Sequence, residues 1–266
     1  MDERVIERMV VRSYRTVSHW STLLAAAAIL FLAALGWAAF RSCLMSTGGV
    51  VHIAFVALAL SVASIFFAPM LAPLVRFSLS IRSGEESISF FRVMGEQYKQ
   101  MLFLLSQSVV IVLGQAILLL LILVWIGLET IPLFGWFVSV FSSWLPALLS
   151  GCSLLLFLAH VIVLFTARVP IAQQTIIDVK KPWELWPERF FQDWLIRLKL
   201  VLLGLFPSII FIVASLYWPI PYGDGFAVLF RALAFALLEA PLFLFAVHMA
   251  VETDRYVQWL SARRLG

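Results

Sequence analysis

The chain has 266 residues, of which 63% are hydrophobic and only 13% are charged, and its mean hydropathy is +1.01. A soluble domain is nearer half apolar and a quarter charged, so this composition excludes a water-soluble fold and predicts that lipid surrounds most of the chain. The net charge of +4 is explained by basic loops beside a bilayer with anionic headgroups, and no nucleic-acid partner is expected.

The first 20 residues predict an amphipathic helix that lies in the headgroup plane. Apolar side chains recur every three or four residues from Val5 to Trp20. A second face is basic and carries Arg4, Arg8, Arg12 and Arg15. An apolar stripe beside a basic stripe is typical of an interfacial helix. The apolar run that follows is long enough to span a bilayer and no A-x-A site comes after it, so a cleavable signal is not expected.

Windows free of charged residues predict the membrane spans, because a span needs about 20 mainly apolar residues. The window from Thr130 to Ala167 is too long for one span, so we divide it and start the span near Leu145. The predicted spans are about 21–40, 50–75, 101–128, 145–167, 200–218 and 226–250, and the sixth is the only one with charged residues inside it. The predicted fold class is all-α, with residues 1–266 as a single polytopic membrane helix bundle. Its six transmembrane helices form three hairpins, with amphipathic interfacial helices beside them, and whether the hairpins are a true repeat stays open.

The basic residues predict the orientation. All Lys and Arg residues except Arg41 and Arg231 fall in the N-terminal segment, in the loops after the second and fourth spans, or in the C-terminal tail. Such a bias predicts that both termini and both loops are cytoplasmic. Tryptophans near the ends of the predicted spans agree with interfacial belts. We therefore expect a multi-pass protein of the bacterial inner membrane.

An aromatic face characterises the cytoplasmic segment 182–199. Its large aromatic side chains are Trp183, Trp186, Phe190, Phe191 and Trp194. Two interpretations stay open: a docking surface for a cytoplasmic protein partner, together with Arg4, Arg8 and Arg12, or a simple interfacial anchor.

Polar residues near the bilayer midplane are the candidate site. Glu239 lies near the middle of the sixth span, where an ionised carboxylate costs roughly a few kcal/mol, so we expect it to be protonated, paired or beside a polar cavity. His160 and Gln115 reach a similar depth on the fourth and third spans, and Arg231 precedes Glu239 by eight residues. The hypothesis is a substrate or ion site in which Glu239 binds a proton or cation. The alternative is a hydrogen-bonded cluster that only holds helices together.

No cofactor, metal site or catalytic residue is predicted. The chain has two cysteines, too few for a metal centre, and no nucleotide-binding P-loop. Two functions follow with equal weight: a small transporter or transporter subunit, and a non-catalytic membrane scaffold or assembly factor. An intramembrane enzyme acting on lipid is the third class, and the sequence favours no enzyme.

Overall fold

The computed structural model describes residues 3–44, 49–84, 88–131, 135, 144–168, 190–216 and 225–265. Its regular elements are all helical, and the described residues contain no β-strand. The helices are α1 (Glu3–Val17), α2 (Trp20–Leu44), α3 (Gly49–Phe67), α4 (Leu71–Arg82), α5 (Phe90–Glu96), α6 (Tyr98–Glu129), α7 (Trp144–Val163), α8 (Phe190–Leu216) and α9 (Gly225–Leu265). A π-helical turn, Leu164–Arg168, continues α7.

Five helices are long and apolar enough to cross a bilayer, or six if a bent pair counts as one span. The five are Trp20–Ala38, Tyr98–Glu129, Trp144–Thr166, Asp193–Ser215 and Gly225–Leu260. The prediction of an all-α protein with several apolar spanning helices is therefore confirmed. The six-span arrangement as three hairpins stays a prediction.

The bent pair consists of α3 and α4, which meet at an angle of 46°. The charge-free window predicts one descending span here, about 50–75, whereas α3 ends at Phe67 and α4 begins at Leu71. Pro69 lies in the break and has no N–H to donate to a continuing helix. A count of charges cannot register this interruption, because proline is apolar.

Helix α9 is the centre of the larger of two packed groups. It packs against α1, α2 and α8, and their apolar core includes Leu30, Leu205 and Leu244. The second group consists of α3, α6 and α7, with Leu58 and Ile122 in its smaller core. The two groups meet where α2 packs on α3.

Helices α6 and α8 each have a long apolar face that does not pack against another helix of its group. Leu113, Ile117 and Leu120 of α6 are exposed, as are Phe206 and Ile210 of α8. A soluble protein rarely exposes contiguous apolar surface of this extent. The exposed faces are those that a bilayer would cover.

Helix α1 packs partly against protein. Met9 is buried in a cluster with Leu200 of α8 and Met249 of α9. Tyr14 of the predicted apolar stripe is exposed, as is the predicted basic face, including Arg4, Arg8 and Arg12. The predicted position of α1 in the headgroup plane stays a prediction.

Candidate functional site

Glu239 of α9 is buried, with 1% of its surface exposed. The hydroxyl of Ser208 on α8 donates a hydrogen bond to its Oε1 atom. The Oε2 atom is buried and has no hydrogen-bond partner among the described residues. Glu239 therefore links α8 to α9 through one of its two carboxyl oxygens.

Gln115 belongs to a different pair of helices. Its Nε2 atom donates to the carbonyl oxygen of Ser153 on α7 over 2.7 Å, and the Ser153 hydroxyl donates back to its Oε1 atom. Both side chains are fully buried. The two reciprocal bonds satisfy the amide and fasten α6 to α7, as polar side chains commonly do between transmembrane helices.

The other two predicted site residues join neither pair by a hydrogen bond. His160 is buried near the end of α7, and its Nε2 atom has no partner among the described residues. Arg231 lies on α9, and its Nη1 atom is buried without a partner there. The structure thus separates Gln115 from Glu239 and leaves His160 and Arg231 outside the hydrogen bonds of either.

A second buried carboxylate, not predicted as a site residue, lies further along α9. The Glu252 side chain is only 4% exposed, yet three guanidinium groups converge on it. Its Oε1 atom lies 3.0 Å from Nη1 of Arg82 on α4 and 3.1 Å from Nη1 of Arg255, and its Oε2 atom lies 3.7 Å from Nη1 of Arg12 on α1. Glu252 therefore joins α1, α4 and α9 at one point.

Asp254 lies on the opposite face of the same turn of α9. It forms an ion pair with Arg197 of α8 and accepts a hydrogen bond of 2.8 Å from Nε2 of Gln258. Two residues apart on an α-helix means about 200° of rotation, so Glu252 and Asp254 point in nearly opposite directions. This end of α9 is held by α1 and α4 on one side and by α8 on the other. We call Glu252, Asp254 and their four arginines the arginine–carboxylate cluster.

Sequence reasoning missed this cluster because Glu252 and Asp254 follow the last apolar span and resemble solvated tail charges. Their partners come from segments far apart in the chain, Arg12 being the most distant. The sequence offers a partial signal, because the apolar residues Val251 and Val257 lie on either side of the charges. Both are buried in the structure. This pattern indicates that the helix continues inside the protein beyond residue 250.

The aromatic face of residues 182–199 is described only in part. Trp194 is half-buried on α8. Helix α8 begins at Phe190, but the side chains of Phe190 and Phe191 lie outside the described side chains, and Trp183 and Trp186 lie outside the described residues. The docking surface and the interfacial anchor therefore both stay predictions for this segment.

The long apolar helices fit a multi-pass membrane protein, and the fold supports this class of protein. Within the described ranges, no three His, Cys, Asp or Glu side chains lie together in a way that could hold a metal ion. No protein-family model, curated protein or solved structure matches the chain.

Proposed function

We propose that this protein is a non-catalytic membrane scaffold that presents a fixed basic surface, formed by α1, at the cytoplasmic side of a bacterial inner membrane. The carrying observation is the convergence of Arg12, Arg82 and Arg255 on buried Glu252. Buried ion pairs add little net stability, but they favour one arrangement over others, because any other arrangement leaves a charge unpaired.

The packing of α1 supports a fixed rather than a mobile surface. Met9 anchors its apolar side against α8 and α9, while Arg12 is drawn to Glu252. With these two attachments, Arg4 and Arg8 are held on the outer side of α1, exposed. A surface of fixed geometry is what a scaffold requires of its docking face, since ordering it on binding would weaken the complex.

The same contacts support the proposed orientation. Arg12, Arg82, Arg197 and Arg255 come from the four segments whose charge predicts a cytoplasmic position, and they meet in one cluster at one end of the bundle. Segments in mutual contact lie on the same side of a membrane. Together with the positive-inside bias, this favours cytoplasmic N- and C-termini.

A small transporter is the second candidate, and one observation favours it. The Oε2 atom of Glu239 and the Nη1 atom of Arg231 are buried with no hydrogen-bond partner among the described residues. Unsatisfied polar groups within a span are costly and commonly mark an ion or proton path. Against a shared site, Gln115 is satisfied by Ser153 on another pair of helices.

Complementation separates the two candidates. In cells that lack the gene, we expect Glu239→Gln to restore function, because glutamine keeps the shape of the side chain and can still accept from Ser208. The double variant Arg4→Gln and Arg8→Gln should fail, since it removes two positive charges from the exposed face of α1. Membrane abundance of each variant, measured by immunoblot, controls for folding.

Reconstitution gives the direct test of transport. Liposomes that contain the purified protein and an internal pH-sensitive dye should show the same proton leak as protein-free liposomes. The scaffold proposal fails if the wild-type protein carries a flux that Glu239→Gln abolishes, or if the arginine variant complements and Glu239→Gln does not.

A further inference from the structure

A cavity of about 370 Å³ opens beside the arginine–carboxylate cluster, at the junction of α1, α2 and α4. Among the described residues its lining is basic and contains no acidic side chain: Arg12, Arg15, His19, Ile81, Arg82 and Gly84. The scaffold proposal uses the outer arginines of α1 and leaves this cavity without a role. We propose that the cavity is a binding site for a phosphate group, as carried by an anionic lipid headgroup or a small soluble phosphate.

The charge of the lining favours an anion. Glu252 is the carboxylate in contact with Arg12 and Arg82, and it is shared among three arginines. The ends of α1 and α4 add a partial negative charge of about 0.5 each, which explains why Arg15 and Arg82 lie in those last turns. The cations still exceed the anions among the described groups, so a phosphate would restore the balance.

The donors fit phosphate recognition. A guanidinium carries five N–H donors in a rigid fork, and the ion pair of Arg82 with Glu252 runs through its Nη1 atom. A carboxylate on one side and a phosphate on the other can therefore share one arginine. Glu252 would hold the guanidinium in place before the phosphate arrives, which reduces the entropy lost on binding.

The position of the cavity fits a headgroup. His19 immediately precedes α2, whose apolar segment begins at Trp20, and Arg82 ends the second half of the bent pair. Trp20 is 78% exposed, and tryptophan is most stable at the level of the lipid headgroups. Gly84 lines the cavity with φ +89°, a left-handed conformation that is common just after the end of a helix such as α4. Both sides of the cavity thus lie where apolar helices leave the bilayer.

Arg15→Gln is the test variant, because Arg15 lines the cavity and forms no ion pair with Glu252, so the cluster remains intact. The protein is placed in nanodiscs of phosphatidylcholine with or without one tenth phosphatidic acid, and bound lipid is counted by native mass spectrometry. In the second arm, glycerol 3-phosphate is titrated onto protein in pure phosphatidylcholine nanodiscs. Arg92→Gln is the matched control, since Arg92 is an exposed arginine on α5 whose ion pair with Glu96 is also exposed.

We expect wild-type protein to bind phosphatidic acid, glycerol 3-phosphate or both, and Arg15→Gln to bind roughly tenfold more weakly or worse, the loss expected for a hydrogen bond between charged groups. Arg15→Lys should give an intermediate affinity because it keeps the charge but loses the fork. Arg92→Gln should bind like wild type. Binding only in the first arm identifies a lipid headgroup as the source, and binding only in the second identifies a soluble phosphate.

Three results would overturn the site. The first is the absence of binding to wild-type protein in both arms. The second is an equal loss for Arg15→Gln and Arg92→Gln, which indicates diffuse attraction to the whole basic surface. Glu85 and Glu86 follow Gly84 and lie outside the described residues, so the experiment includes a variant in which both are changed to glutamine. The third contradicting result is a tenfold loss of phosphate binding in that variant. None of these outcomes depends on whether the scaffold proposal holds.

Discussion

Helix α9 buries two glutamates in two different ways. Glu239 and Glu252 are thirteen residues apart, about 20 Å along the helix axis. Glu239 lies among apolar side chains with one hydroxyl partner, whereas Glu252 is surrounded by three guanidinium groups. One helix therefore carries a carboxyl group that is bonded to a single hydroxyl and, further along, a carboxylate that is paired with three arginines.

The contrast shows that depth in the membrane and energetic importance are separate properties. A mid-span glutamate attracts attention because an isolated charge in lipid is costly, but a protonated carboxyl with one hydrogen bond avoids most of that cost. Glu252 differs, since three arginines surround it and their positive charges require a partner. Glu239 is the unusual residue by its position in the sequence, but Glu252 makes more contacts between helices.

Glu252→Gln should have the largest effect. It leaves Arg12, Arg82 and Arg255 beside a neutral amide, and removing one partner of a buried ion pair costs about 3–5 kcal/mol. We expect about 3 kcal/mol, the lower end of that range, because the arginine side chains are 32% to 60% exposed. The free energy of unfolding is measured by titrating detergent-solubilised protein with sodium dodecyl sulfate and following tryptophan fluorescence.

Glu96→Gln is the control for that measurement. Glu96 also forms an ion pair with an arginine, Arg92, but both side chains are exposed, so the expected loss is below about 1 kcal/mol. Equal losses for the two variants would mean that the burial of Glu252 carries no energetic weight, and the contrast between the two glutamates would then disappear.

Gly204→Ala should have the next largest effect, because it tests the apolar contact that holds the same end of α9. A β-carbon on Gly204 of α8 would lie 2.7 Å from the β-carbon of Met249, which is too close for both helices to keep their places. We expect a loss of about 2 kcal/mol in the unfolding titration, as is usual for overpacking. Gly151→Ala on α7 is the control: nothing lies within 4 Å of its added carbon, so stability should stay level or rise by less than about 1 kcal/mol.

If Gly204→Ala is neutral while Glu252→Gln is not, the C-terminal end of α9 is held by charge alone. If both variants are destabilising, ionic and apolar contacts hold it together. The comparison is sharp because Gly204 and Glu252 act on the same end of one helix through unrelated forces.

The sequence predicted the apolar helices well because length and the absence of charge depend on each segment alone. It predicted one continuous span from 50 to 75 less well, since the effect of a proline depends on its neighbours. Pro69 lies at the break after α3, while Pro207 and Pro241 remain inside α8 and α9. Adjacent helices can support the backbone around a proline in a membrane, and a single sequence does not reveal where they do.

The candidate site was predictable only as a set of residues, not as a set of partners. Glu239, His160, Gln115 and Arg231 were predicted because polar groups are rare in spans; the first three are buried, and Arg231 is partly buried with its Nη1 atom inaccessible to solvent. Depth did not predict which of these residues are in contact, because two residues at the same depth can face opposite sides of a bundle. Ser208 and Ser153 carry no signal of their own, because serine is common in transmembrane helices and usually bonds to its own backbone.

Ser208→Ala should have the smallest effect and bears on the other glutamate. It removes the hydroxyl that donates to Glu239, and hydrogen bonds between transmembrane helices average about 0.6 kcal/mol and reach about 1.7 kcal/mol. We expect about 1 kcal/mol in the unfolding titration, and the same loss in a Glu239→Gln background, because an amide oxygen accepts from the hydroxyl as a neutral carboxyl does. A loss above about 3 kcal/mol in the wild-type background alone would indicate an ionised Glu239 that depends on Ser208. In that case the middle of α9, like its C-terminal end, would be organised around a charge, and the transporter would become the stronger of the two candidate functions.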